Sequence, residues 1–128
     1  CFPGSPTIFY GDEAGMEGYE DPFNRGTYPW GSEDVDLVAW YRALGATRAA
    51  APELAEGAFV PLSVGDDVVC FVRRQGERAL LCAVNRCAEE RQIFLPPDFA
   101  AASICVGDGR VVGHTLVLPP LSGVWMRS

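Results

Sequence analysis

The 128-residue chain has no lysine; all ten of its basic side chains are arginine, and it has one histidine. Its five cysteines, Cys1, Cys70, Cys82, Cys87 and Cys105, are odd in number, and no two stand at C-x-x-C spacing. One histidine and scattered cysteines offer no zinc-ligand pattern, so no metal and no cofactor is expected. The cysteines read as free thiols packed as small hydrophobes in a reducing compartment, ahead of a disulfide framework. There is no run of the ~18 apolar residues that a membrane span needs. There is also no basic stretch followed by a cleavage pattern, and a cytoplasmic location is the expectation. No G-x-S-x-G occurs, so His114 reads as an edge residue and not as the base of a nucleophilic triad. Gly107-Asp108-Gly109-Arg110 has strand-like sequence on both sides and no helix after it, which makes it a turn and not a phosphate loop. The net charge of −7 argues against nucleic-acid and anionic-membrane partners. The length excludes a complete α/β barrel, which takes about 250 residues. The chain opens on Cys1-Phe2-Pro3-Gly4 and not on Met, as expected of a piece of a longer protein.

What is present falls into two parts. Residues 1–56 hold ten acids against three arginines, whereas residues 57–128 hold seven of each. A boundary near Gly57 is expected, with domains over 1–56 and 57–128. Residues 1–33 contain six glycines and four prolines and show no helical or strand period. Thr7-Ile8-Phe9-Tyr10 reads as a short buried strand stopped by Gly11, and the next twenty residues read as loop. Ser32 is expected to cap a helix over about 34–50, with Glu33 and Asp34 in its first turn. Leu37, Trp40, Tyr41 and Leu44 give that helix an apolar face. Pro52 ends it or starts a turn. From Gly57 onward seven short strands are expected, at Phe59–Ser63, Val68–Arg74, Ala79–Asn85, Gln92–Leu95, Ser103–Val106, Thr115–Leu118 and Gly123–Arg127. Gly, Pro and Asp turns separate them. Seven strands in so short a span mean an antiparallel sandwich or barrel. Ala79 to Val84 is nearly all apolar and is expected to be central, covered on both faces.

Asp12, Glu13, Glu17, Glu20 and Asp21 crowd into ten positions, interleaved with Tyr10, Tyr19, Phe23, Tyr28 and Trp30 and joined by Arg25. Carboxylates, a guanidinium and flat aromatic rings are the side-chain types that bind sugars, but composition alone favours the plainer reading of an acidic loop with core aromatics. Asp12 and Glu13 are chain neighbours whose side chains diverge in an extended backbone. They make a poor pair for glycoside hydrolysis, which needs two carboxyl groups about 5–9.5 Å apart across the bond.

The run Pro3-Gly4-Ser5-Pro6-Thr7-Ile8-Phe9-Tyr10-Gly11-Asp12-Glu13-Ala14-Gly15-Met16 resembles the eighth barrel strand and following loop of the α-amylase family, glycoside hydrolase family 13. Asp21-Pro22-Phe23-Asn24-Arg25 and Pro29-Trp30 resemble the D-P-x-x-R…P-W stretch of its neopullulanase and cyclomaltodextrinase-like members, although Gly26 replaces the basic residue usual after that arginine. Asp34-Val35-Asp36-Leu37 with Tyr41-Arg42-Ala43-Leu44 looks like the last barrel helix. Pro52-Glu53-Leu54, Gly57 and Val69-Cys70-Phe71 look like the entry to a C-terminal β-sandwich.

The resemblance implies a mostly β fold, an antiparallel sandwich preceded by the loop-rich end of a (β/α)8 barrel and one amphipathic helix. It implies a parent enzyme that hydrolyses α-glucosidic bonds in maltooligosaccharides, pullulan or cyclodextrins. The family's catalytic Asp, Glu and second Asp lie on earlier strands, so it implies no catalytic residue here. Asp12 and Glu13 match positions near the cleft, and Asp21 and Arg25 match positions that line its non-reducing side. The alternative is a stand-alone carbohydrate-binding or structural module, with Trp30 and Trp125 as platforms, although Trp125 reads better as core. The apolar face of helix 34–50 is expected to seek cover, on the β domain or in a homodimer.

Overall fold

The computed structural model describes residues 1–128, apart from the side chains of Ser63 and Val64. Two compact units form, one of residues 5–46 and one of residues 1–4 with 47–128. The second unit reaches back past Gly57 because a short helix, α2 (Pro52–Glu56), buries Leu54 among strand residues. Pro52 thus starts a helix, as a residue with fixed φ and no N–H does well at a first helical position.

Eight strands follow: β1 (Ala58–Val64), β2 (Val68–Gln75), β3 (Arg78–Asn85), β4 (Arg91–Phe94), β5 (Ser103–Gly107), β6 (Arg110–Val112), β7 (Thr115–Leu118) and β8 (Gly123–Arg127). They build two antiparallel sheets, in the orders β1-β2-β3-β8-β5 and β4-β7-β6. The strand not expected from sequence is β6, three residues long and directly after the Gly107–Gly109 turn, too short to show an alternation of its own. The β2–β3 hairpin closes with Gln75 opposite Arg78, and Gly76, at φ 58°, takes the first central place of a two-residue turn.

Strand β3 is buried on both faces from Ala79 to Ala83, as its apolar run predicts, whereas Val84, expected to be covered with them, is 43% exposed. One face sends Ala79, Leu81 and Ala83, with Cys70, Val72, Val124 and Met126, against Ile93, Leu116 and Leu118 of the smaller sheet. The other sends Leu80 and Cys82, with Phe71, against Ala51 and Leu54, and Trp125 packs partly buried at its margin. Burial pushes the Cys70 and Cys82 thiols up to about 12, since a thiolate would lose its hydration there.

Three buried polar side chains tie this core to its connections. Arg73 is 1% exposed; its Nε and Nη2 donate to Gly57 O at 3.2 and 2.8 Å, and its Nη1 to Cys1 O at 2.8 Å. Gly57 must be glycine, because a Cβ there would come within 2.3 Å of Glu53 O and 2.9 Å of Arg74 O. At the far end of β3, Asn85 Nδ2 donates to Glu89 O and Pro119 O at 2.8 Å each, and Oδ1 accepts from Cys87 N at 3.0 Å. Glu53 of α2 is 1% exposed and lies 3.3 Å from Arg127 Nη2 of β8, an ion contact without hydrogen-bond geometry.

In the unit of residues 5–46, no strand forms at Thr7–Tyr10, contrary to expectation. A strand needs a neighbour to pair its backbone groups, and among the described residues none lies alongside it. The helix does form, as α1 (Val35–Ala49). Its cap is Asp34 and not Ser32: Asp34 Oδ1 accepts from Leu37 N at 2.9 Å and Asp36 N at 3.1 Å. Leu37, Tyr41 and Leu44 are half-buried, Trp40 is exposed, and no residue of α1 is fully buried. Among the described residues no helix is long and apolar enough to cross a membrane.

Arg73→Met is expected to lower unfolding free energy by about 2–4 kcal/mol, because it leaves two part-buried carbonyls, of Gly57 and Cys1, without this donor; urea denaturation measures it. In the native chain Cys105 is expected to react with iodoacetamide and Cys70 and Cys82 to resist until unfolding, as peptide mapping reads directly.

Candidate functional site

Gly11 sets the loop that carries the acidic residues. Its φ of 83° turns the chain out of the extended segment, and Asp12–Ala14 follow as a single 3-10 turn. Ala14 N and Met16 N both donate to Gly11 O at 3.0 Å, so one carbonyl closes the turn twice. The Met16 side chain then fills the space where a Cβ on Gly11 would stand, with its sulfur only 2.4 Å from that point. Asp34 N donates to Ala14 O at 3.1 Å, which fastens the loop to the start of α1.

This turn opens a cavity of about 580 Å3 over residues 9–26. Phe9, Tyr10, Tyr19 and Phe23 supply its aromatic walls, Asp12 and Glu17 its carboxylates, and Asn24 an amide. Among the described residues no arginine lines it, so it offers acceptors and ring faces but no cation. That set suits a neutral ligand rich in hydroxyls, which donate to carboxylates while their C–H faces lie on rings. No group of three or more His, Cys, Asp and Glu residues able to hold a metal occurs among the described residues.

Of the four residues singled out by the motif resemblance, Asp12 alone lines the cavity. Glu13 sits on the same 3-10 turn, half-buried. Asp21 and Arg25 meet each other one turn apart, with Nε 2.7 Å from Oδ1 and Nη2 donating to Oδ2 at 2.8 Å. Both are exposed and neither lines the cavity. Tyr28 packs at 4.6 Å from Trp30 and edge-on to Tyr10 at 6.3 Å, ring centre to ring centre. Desolvation, and then the negative charges of Glu13 and Glu33, push the Tyr28 phenol above its ordinary value. Asn24 was not legible as a lining residue; it is placed by its close packing on Gly18, a contact without sequence signature. Trp30 is 83% exposed, whereas Trp125 belongs to the β core as expected.

No protein-family model matches the chain. The chain is 30% identical to an amylopullulanase of Thermoanaerobacterium saccharolyticum, in an alignment that covers 99% of the chain and 12% of the relative. It is 33% identical to a cyclomaltodextrinase of Geobacillus thermopakistaniensis over 76% of the chain and 17% of that protein. The solved structure of a debranching enzyme from Nostoc punctiforme superposes with a TM-score of 0.87 at 25% identity, over 99% of the chain and 28% of that enzyme. The chain thus spans less than a third of each of these proteins.

Gly11→Ala is expected to open the loop, since it adds both the positive-φ penalty and the collision with Met16. Amide hydrogen exchange at Ala14 and Met16 should rise at least tenfold while exchange in β2 and β3 stays unchanged.

Proposed function

The chain belongs to the α-amylase family, glycoside hydrolase family 13, and on that premise we propose that it is the closing part of an enzyme that hydrolyses α-glucosidic bonds in maltooligosaccharides, pullulan or cyclodextrins. The observation that carries the reading is the acid-and-aromatic cavity over residues 9–26. In this reading Asp12 and Glu17 accept hydrogen bonds from sugar hydroxyls, and Phe9, Tyr19 and Phe23 receive the apolar faces of the rings. Asp21 and Arg25, already paired, present a preset carboxylate and guanidinium at the rim, on the non-reducing side of a bound glucan. The nucleophile and the general acid come from the part of the enzyme that precedes this chain. Residues 1–56 end the catalytic barrel, and residues 57–128 form a structural β domain. The half-buried face of α1, at Leu37, Tyr41 and Leu44, packs on the rest of the barrel in the complete enzyme and pairs with a second copy in the isolated chain. Five free thiols fit a cytoplasmic enzyme.

The test expresses the complete reading frame that contains this chain beside the 128-residue chain alone. The complete protein is expected to release reducing sugar from at least one of maltohexaose, pullulan and β-cyclodextrin, and the chain from none. Release by the chain alone, or by neither protein, would overturn the proposal. Asp21→Ala in the complete protein is expected to raise KM for maltohexaose several-fold and to leave kcat within about threefold, the mark of lost substrate binding. Light scattering of the isolated chain is expected to show a dimer that dissociates on dilution.

A further inference from the structure

Met16 sits in a slot between two glycines. A Cβ on Gly11 would stand 2.8 Å from Met16 Cγ and 2.9 Å from Met16 Cβ, and one on Gly26 would stand 3.5 Å from Met16 Cε. The unbranched side chain therefore runs from the first turn of the acidic loop to its far end, and it fits because neither glycine carries a side chain. Met16 N also donates to Gly11 O at 3.0 Å, so backbone and side chain close on the same residue. Met16 is half-buried and forms part of the cavity wall with Asp12, Glu17 and Tyr19. The chain's other methionine, Met126, is 0% exposed in the β core.

We propose that Met16 is a redox-sensitive pin, and that its oxidation to the sulfoxide by hydrogen peroxide opens the cavity. In that step the sulfur lone pair takes one oxygen atom from the peroxide as the O–O bond breaks. The sulfur loses two electrons, the peroxide gains them, and the other oxygen leaves as water with both protons. Methionine suits such a slot because it is flexible and apolar, whereas the sulfoxide is polar, chiral and one atom larger. An oxygen turned toward Gly11 has no room, since the place that a Cβ would take is already filled by Met16's own atoms. An oxygen turned toward the cavity adds an acceptor to walls already made of the Asp12 and Glu17 carboxylates and the negative faces of aromatic rings. Both epimers therefore favour withdrawal of the side chain, and with it the contact that spans Gly11 and Gly26 is lost. Thiol-dependent reductases, one for each epimer, return the sulfoxide to the thioether, so the change is reversible. That the opened cavity binds glucan less well rests on the hydrolase reading above; the opening itself does not.

The 128-residue chain, its accessible thiols first capped with iodoacetamide, is treated with hydrogen peroxide and followed by peptide mapping and amide hydrogen exchange. Met16 is expected to take up one oxygen while Met126 takes up none. Exchange at Ala14 and Met16 is expected to rise at least fivefold, with β2 and β3 unchanged, and to return after treatment with the two methionine sulfoxide reductases and dithiothreitol. Met16→Leu keeps a Cβ and a Cγ but has no sulfur, and its exchange is expected not to respond to peroxide. Should that variant not fold, the reversal by the reductases serves in its place. Oxidation of Met126 ahead of Met16, unchanged exchange once Met16 is oxidised, or an equal response in Met16→Leu overturns the proposal. In the complete protein, peroxide is expected to raise KM for maltohexaose at least threefold, and Met16→Leu to remove that rise. A KM that stays constant while exchange at Ala14 rises overturns the link to binding. A complete protein that hydrolyses nothing, with exchange raised as expected, overturns the hydrolase reading alone.

Discussion

The buried guanidinium of Arg73 is the constraint on which the β unit depends. It projects from β2, and its three hydrogen bonds all go to backbone carbonyls, two to Gly57 and one to Cys1. Burying a charge without donors and acceptors in place would cost several kcal/mol. The fork therefore fixes where the chain enters the sheet. Lysine could not replace it, because only a planar guanidinium grips one carbonyl with two nitrogens while a third reaches another segment. Gly57 completes the joint from the other side: the backbone passes so close to Glu53 and Arg74 that no side chain fits. Through this joint α2 is laid on Leu80 and Cys82, and the sheet gains the second covered face that its all-apolar central strand demands.

The other end of that strand is held by an amide in place of a charge. Asn85 gathers Glu89, Pro119 and Cys87 into one network, so the β3–β4 and β7–β8 connections converge on it. These connections bring β4 and β7 together as the second sheet, and their register sets which residues face outward. Phe94 is on the surface because Ile93 is in the core; a one-residue slip would reverse the two.

In the acidic loop the organising element is small and local. Gly11 and Met16 act as a lock and key within six residues, and the cavity is the space that this lock leaves beside Asp12, Glu17 and Tyr19. Asp21 and Arg25 satisfy one another outside the cavity lining, so each is presented as half of a pair and not as a separate charge. Pairing of this kind between exposed groups contributes little stability, about 0–1 kcal/mol, and its value lies in orientation.

The amino-acid sequence by itself determined the elements whose signals are local. The apolar runs at 68–74 and 79–85, the Gly76 turn between them and the periodic face of α1 each needed only neighbours along the chain. The motif around Gly11 marked the acidic loop and, with it, the family. The helix cap went to Asp34 and not Ser32 because Asp34 is also the residue whose amide reaches Ala14, a contact from another segment. Thr7–Tyr10 has a strand's composition but, among the described residues, no strand beside it. The three residues of β6 acquire strand form only from β7. Which acid faces the cavity, Asp12 or Asp21, was decided by how Met16 folds back over Gly11. The physical reason is common to all these cases. Composition and period report what a residue does for its nearest neighbours, whereas pairing, register and the side a carboxylate faces are properties of contacts between distant parts of the chain, and only the packed structure supplies them.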